Sequence, residues 1–357
     1  MTLKAVCRVV MVNAILLFTL ITALELVFGS WIREDSLNRL NLIRNRTLRF
    51  TTSHLYSDAD GVATYTRDRY GIRGSCGDPS NITMLTVGGS TTDQRYVSDH
   101  ETWQSVLQTE LLRRGKHICI GNAGVDGQST IGHLKNFEWW FPEIPRLRPR
   151  YIVFYVGIND FYTPRNAEFD DLTRQRGRAL WNYLREHSAT YHLAYTLYAN
   201  YQSRIRLKAA HGRVDLDAIG WTNKPLQRDH SALTKTRLHA YRTRLLALVQ
   251  LTRSMGAQPI LVTQPTRWHR QRAGSLVGVD ERGEYEGSRI NGLDRYLMMR
   301  LIDKTTCSVA EDAGLPCIDL GAEDEWADGD FYDFVHMTPK GTATLGVRLA
   351  RKIEPLL

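Results

Sequence analysis

The sequence has no block of five or six like charges, no internal repeat and no low-complexity tract, so nothing in it reads as a nucleic-acid-binding tail or a disordered arm. Its formal charge of +8 comes from 46 basic and 38 acidic residues that are interspersed, which describes a solvated surface. Nucleic acid is not an expected partner. Only five cysteines occur, Cys7, Cys76, Cys119, Cys307 and Cys317, with no CxxC pair and no histidine at zinc-ligand spacing. Neither a metal nor a dithiol redox centre is expected. HExxH, P-loop and G-x-S-x-G signatures are absent as well, which removes metalloprotease, nucleotide-hydrolase and nucleophile-elbow chemistries. What remains is a chain of 357 residues, 43% hydrophobic and 24% charged, able to bury a full globular core. Cys307 and Cys317 lie between a predicted helix and a predicted strand, where an oxidising compartment can join them; two buried thiols are the alternative.

One long apolar run is present. Val9 to Phe28 is broken only by Asn13 and Glu25, and its length suits a helix that crosses a bilayer. No small-x-small site ends it cleanly, which favours a retained anchor over a cleaved signal peptide. Lys4 and Arg8 precede the run, while Arg33, Arg39, Arg44 and Arg46 follow it. That count opposes export, but long domains translocate largely regardless of flanking charge, and Glu34 and Asp35 leave the near flank mixed. The expected organisation is an anchor over 1–30, a connector and extension over 31–81, and a main domain over 82–357 with insertions at about 160–231 and 264–288. Within the extension, Ile32 to Leu48 has weak helical spacing, and Tyr56 to Gly74 suggests short extended pieces and turns.

From Ile82 onward, short apolar runs alternate with amphipathic stretches. Strands are predicted at Thr83–Val87, His117–Ile120, Tyr151–Val156, Pro259–Thr263 and Pro316–Leu320. Helices are predicted at Thr102–Arg114, Thr130–Phe141, Leu233–Met255, Ile290–Ala313 and Lys340–Ile353. Alternation of this kind gives a doubly wound α/β sandwich with a five-stranded parallel sheet, whose strand C-termini share one edge, the edge at which such sheets bind ligands. The first insertion carries Trp181, Tyr183, Tyr191, Tyr195, Tyr198 and Tyr201. Tyr191, Tyr195 and Tyr198 share one helix face, which reads as core packing ahead of a sugar-stacking platform.

Four motifs carry chemistry, three of them directly after predicted strands. Gly88-Gly89-Ser90-Thr91-Thr92 makes a tight turn that presents the Ser90 hydroxyl together with its own N–H. In Asn122-Ala123-Gly124-Val125-Asp126-Gly127, Gly127 can offer a bare backbone N–H to a developing oxyanion while Asn122 braces the loop. Gly157-Ile158-Asn159-Asp160 ends a strongly apolar strand, and the Asn159 amide can donate a further hydrogen bond. Finally, Asp333-Phe334-Val335-His336 precedes the last helix; its spacing lets the Asp333 carboxylate hold Nδ1–H of His336 and leaves Nε2 to take the Ser90 proton.

Ser90, Gly127, Asn159 and the Asp333/His336 pair, in this order and context, resemble the four blocks of the SGNH/GDSL hydrolase superfamily. The resemblance covers about Ile82 to the C-terminus apart from the insertions. It implies a flavodoxin-like three-layer α/β/α fold, a catalytic triad of Ser90, His336 and Asp333, an oxyanion hole of Ser90, Gly127 and Asn159, and hydrolysis of esters without a cofactor. The first block departs from the namesake, with Gly-Gly-Ser-Thr standing for Gly-Asp-Ser-Leu, which removes a carboxylate beside the nucleophile and bears on substrate preference. Together with the preceding YGIRG segment and the apolar helix, it is similar to a membrane-anchored bacterial branch associated with surface polysaccharides. The implied activity is cleavage of small acyl esters, O-acetyl groups on a glycan among them, by an extracytoplasmic (periplasmic) domain. Alternatives are O-acetyl transfer to a sugar by the same triad, a lipase or lysophospholipase, and a polysaccharide-binding protein with a decayed site.

Overall fold

The computed structural model describes residues 2–29, 31, 36–57, 60–162, 169–172, 184, 187–323 and 325–357. Trp181 and Tyr183 lie outside them. The chain divides into two compact units, 1–41 with 173–204, and 42–172 with 205–357.

In the first unit, helix α1 (Leu3–Phe28) is long and apolar enough to cross a membrane, and none of its residues is buried by the rest of the chain. The second unit begins with an antiparallel pair, β1 (Arg46–Thr51) and β2 (Val62–Arg67). Residues 36–48 thus hold only a short 3-10 turn, Ser36–Arg39, before β1 starts, and not the helix that their spacing suggests. Strand pairing of Leu48 and Phe50, both buried, overrides a weak local periodicity.

The chain then alternates β3 (Met84–Gly88), α2 (Ser90–Asp93), α3 (Trp103–Arg113), β4 (Ile120–Asn122), α4 (Thr130–Lys135), β5 (Tyr151–Tyr155) and α5 (Ile158–Phe161). Helix α6 (Ala189–Gln202) belongs to the first unit, and β6 (Arg206–Lys208) and β7 (Trp221–Thr222) to the second. After α7 (His230–Ser254) and β8 (Gln258–Val262) come two hairpins, β9 (His269–Arg272) with β10 (Ser275–Val279), and β11 (Gly283–Tyr285) with β12 (Ser288–Ile290). Helix α8 (Gly292–Asp312), β13 (Cys317–Ile318) and α9 (Pro339–Ile353) complete it.

Five parallel strands form the central sheet in the order β13-β8-β5-β3-β4. Numbered among themselves this is 2-1-3-4-5, the flavodoxin-like order. Its direction of growth reverses between β3 and β5, and the crevice beyond their C-termini is where such a sheet binds ligands. The two faces follow from strand periodicity: Tyr151, Val153 and Tyr155 point into one layer, and Ile152 and Phe154 into the other. In the first layer, Trp103, Leu107 and Leu111 of α3 pack with Leu345, Leu349 and Ile353 of α9 against Met84, Val153 and Val262. Each leucine buried in this way contributes about 1.5–3 kcal/mol. On the other face Phe137 stacks on Phe154 at 6.3 Å.

Predicted strands and observed ones agree closely except at β13, which spans only Cys317–Ile318 because Leu320 opens a 3-10 turn, and at β4, which begins at Ile120. Residues just before it are held otherwise, since Cys119 is disulfide-bonded to Cys76. A second disulfide joins Cys307 to Cys317. Among the described residues only Cys7, on α1, is a free cysteine.

Candidate active site

Two adjacent strands at the reversal point deliver the first two site residues. β3 ends in Gly88, and Ser90 opens a one-turn helix, α2, capped by Gly89. Carbonyl Gly89 O accepts from Thr92 N and Asp93 N, so the turn leaves the Ser90 N–H outside its own hydrogen bonding. β5 leads through Gly157, at φ +126°, into Asn159 on α5. A side chain at Gly89 would require Asn159 to shift, because a Cβ built there lies 2.0 Å from Asn159 Nδ2. Glycine at this position leaves room for the Asn159 amide beside the backbone of the Ser90 turn.

That amide donates to Gln128 O at 2.8 Å, which ties it to the loop after β4 and leaves one N–H. Gly127, the preceding residue, sits at φ +77° in the left-handed region, and a Cβ on it would come within 2.4 Å of the Phe169 ring. Asn122 braces this loop: its Nδ2 donates to Thr92 O at 2.7 Å, and its Oδ1 accepts from Gly124 N at 2.8 Å.

The last two residues, Asp333 and His336, arrive from the loop after β13, His336 lying 246 positions from Ser90. His336 Nε2 lies 2.8 Å from Ser90 Oγ, and its Nδ1 lies 2.7 Å from Asp333 Oδ2. Two residues on, Thr338 caps α9 by accepting from Gly341 N, with Pro339 at the first helical position, so the loop runs straight into a fixed helix. Burial works to raise the Asp333 carboxyl, but hydrogen bonds from the His336 ring and from the N–H groups of Val335 and His336 prevail and hold it below its ordinary range. It stays anionic at neutral pH, hydrogen-bonded to the His336 ring.

Several residues here carry no motif. Gln264, just past β8, accepts from Ile158 N at 2.9 Å and donates to Thr91 Oγ1 at 2.5 Å, bridging the Ser90 and Asn159 turns. A polar residue ending an apolar strand was its only signal. Arg67 and Arg73, both buried, clamp α2 from the extension. Arg67 pairs with Asp93 and also donates to Gly124 O, while Arg73 donates to the carbonyls of Asp93 and Gln94 at 2.7 and 2.8 Å. Arg73 sits in the YGIRG segment and bridges back to Asn122, extending the sheet.

His211, in the first insertion, packs against His336 at a tilt, with ring centroids 4.4 Å apart, and places Nδ1 2.9 Å from Tyr332 Oη. Nothing local in the sequence points to it. Burial, aided by the nearby His336, lowers its pKa to about 4 and keeps it neutral at neutral pH. Among the described residues, His211, Asp333 and His336 are the one group whose ligand atoms lie close enough, within 4.8 Å, to hold a metal. His336 could serve one only by releasing Asp333 or Ser90, so the donor set fits proton transfer better.

A model of the GDSL-like Lipase/Acylhydrolase family matches residues 86–344. The chain belongs to that family. Solved structures similar to it include the psychrotrophic esterase EstA from Pseudoalteromonas sp., 12% identical, with TM-score 0.42 over 77% of this chain and 98% of that one. An acetyl xylan esterase, AlAXEase, is 14% identical with TM-score 0.40, covering 77% and 99% respectively. A GDSL-like lipase from Bacteroides thetaiotaomicron is 11% identical with TM-score 0.39, covering 79% and 93%. No curated protein matches the sequence.

Proposed function

We propose that this ester-hydrolysing enzyme works through an acyl-enzyme on Ser90, with His336 and Asp333 completing a triad and Ser90 N–H, Gly127 N–H and Asn159 forming the oxyanion hole. The continuous hydrogen-bonded chain from Ser90 Oγ through His336 to Asp333 carries this reading. His336 Nε2 takes the Oγ proton as Oγ bonds to the ester carbonyl carbon, and then gives it to the departing alcohol oxygen. Water, deprotonated by the same nitrogen, releases the acid and returns the proton to Ser90.

The substrate is a small acyl ester. The cavity beside Ser90 and His336 measures about 20 Å³, near the size of one water, and Tyr96, Val97, Tyr155, Tyr332 and Met337 help to line it. Given the polysaccharide-associated resemblance, an O-acetylated glycan is the proposed natural substrate. The unit 42–172 with 205–357 contains both disulfides, which supports placing it outside the cytoplasm with α1 as a retained single-pass anchor.

A fluorophosphonate should label the wild-type protein at Ser90 and leave Ser90→Ala unmodified. On p-nitrophenyl esters the wild type should prefer acetate to butyrate and hexanoate, with Ser90→Ala reduced by a factor on the order of a thousand or more. Full activity in Ser90→Ala sinks the triad. Incubation with an acetyl ester and an oligosaccharide, followed by mass spectrometry, should yield acetate and no acetylated sugar; acetylated sugar would make it a transferase.

A further inference from the structure

We propose that α6 is a second membrane contact, an uncharged aromatic helix that lies in the headgroup region of the bilayer beside the outer end of α1; this rests on the reading of α1 as a membrane-spanning helix. Three observations within the first unit lead there. First, α6 (ATYHLAYTLYANYQ) holds no charged residue over 14 positions, in a chain that is 24% charged. Second, its apolar side is uncovered. Leu193, Leu197 and Tyr201 recur every four residues with Tyr198 alongside, and each is more than half exposed. The tyrosine stripe expected to be core packing is therefore not buried: Tyr191 and Tyr195 stack on each other at 6.3 Å, and Tyr198 faces out. An exposed large apolar patch marks something that covers it.

Third, the start of α6 is fastened to α1 at a defined depth. The Glu25 carboxylate accepts from Ser188 Oγ at 2.6 Å, Ala189 N at 2.9 Å and Thr190 N at 3.0 Å, using the N–H groups that a helix N-terminus leaves unpaired. Trp31 Nε1 donates to the same carboxylate at 2.9 Å, and its ring stacks on His187. Along α1 only Leu24 and Glu25 are partly covered, so α6 meets the helix one turn from its end and does not run down its length. Glu25, the one acid in the apolar run, is thereby explained as the clasp. Tryptophan and tyrosines at this level have the composition of an interfacial belt, where rings sit in the acyl boundary and polar tips reach water. With no lysine or arginine on α6, the contact depends on apolar insertion and not on anionic lipid.

The test uses the full chain, with Cys7→Ser, reconstituted in phosphatidylcholine vesicles. A single cysteine bearing an environment-sensitive fluorophore is placed by Leu197→Cys on α6, Leu17→Cys on α1 or Leu112→Cys on α3, and quenched by nitroxide-labelled lipids. The expected result is loss of fluorescence at 197 to a shallow label, loss at 17 to a deep one, and retention at 112. Equal quenching at 197 when the vesicles contain phosphatidylserine is also expected. If 17 is quenched while 197 behaves like 112, the α6 proposal is wrong and the anchor stands. Failure of 17 removes the anchor and the proposal together. Oxidative crosslinking of two chains through 197, or quenching that requires anionic lipid, would assign the surface to another partner and overturn it.

Discussion

Asn159 is the group whose loss separates an oxyanion role from mere loop bracing. Its amide donates to Gln128 O and its Nδ2 lies against Gly89, so under the proposed mechanism Asn159→Ala removes a transition-state donor while Ser90 and His336 stay hydrogen-bonded. Turnover should fall about a hundredfold or more, with KM little changed, which steady-state kinetics on an acetyl ester measures. Acid sensitivity belongs to the same scale. His133, on α4 just beyond the Gly127 loop, is fully buried, and burial lowers its pKa from 6.5 to about 3. Because the unfolded chain then holds the proton more tightly, stability is complete above about pH 6.5 and declines as pH falls toward the folded value. Between pH 7 and 5 this residue alone should cost up to about 2 kcal/mol. His133→Leu should shrink the difference between urea midpoints at those two pH values; an unchanged difference would mean that other groups govern acid unfolding. Site residues of both kinds, the motif-bearing and the silent, differ in how they show in a sequence. Ser90, Asn159 and the Asp333/His336 pair announce themselves because each follows a strand or precedes a helix, whereas His211 reaches the site by chain folding from an insertion and has no local mark.

At the scale of elements, the arm formed by β1, β2 and the turn to Arg73 does more than connect. Leu48, Phe50 and Tyr65 from it, with Tyr56, join Tyr96 and Tyr332 in one apolar cluster, and Tyr332 is the neighbour of Asp333. Two buried arginines, Arg67 and Arg73, reach from it into the Ser90 turn. Asp93 is buried, which alone would raise its pKa, yet Arg67, Arg95 and Arg73 outweigh this and hold it anionic. Arg67→Met should therefore remove the nearest cation from a buried carboxylate that keeps Arg95 at 3.6 Å and the Tyr65 hydroxyl at 2.8 Å, and destabilise the protein by up to about 3 kcal/mol. Adding Asp93→Asn should recover part of that loss, since the less well compensated charge is gone; a double-mutant cycle by chemical denaturation reads the coupling. The sheet strands were legible because continuous apolar runs between turn residues have few other uses. The arm was less so, because Ile32 to Leu48 offers a faint helical period that strand pairing with distant residues 62–67 overrides, and pairing of that kind leaves no signature within a local window.

For the molecule as a whole, the two disulfides bear on where it folds. Cys76–Cys119 closes a separation of 43 residues and fastens the arm's exit to the strand that leads into the Gly127 loop; Cys307–Cys317 closes only 10, between α8 and β13. Chain-entropy reasoning gives about 4 kcal/mol for the longer loop and about 3 kcal/mol for the shorter. Together they are comparable to the net stability of an ordinary domain, about 5–15 kcal/mol, so a reduced chain should be marginal. Three outcomes follow for protein made with and without an oxidising compartment. Exported protein should resist unfolding, and a reductant should lower its denaturation midpoint; Cys76→Ser with Cys119→Ser should lower it more than Cys307→Ser with Cys317→Ser; and protein retained in a reducing cytoplasm should accumulate poorly. Should the reduced chain prove as stable as the oxidised one, the bonds would lose their weight as support for an extracytoplasmic site, and the basic flank after α1 would regain its force as the better guide to orientation.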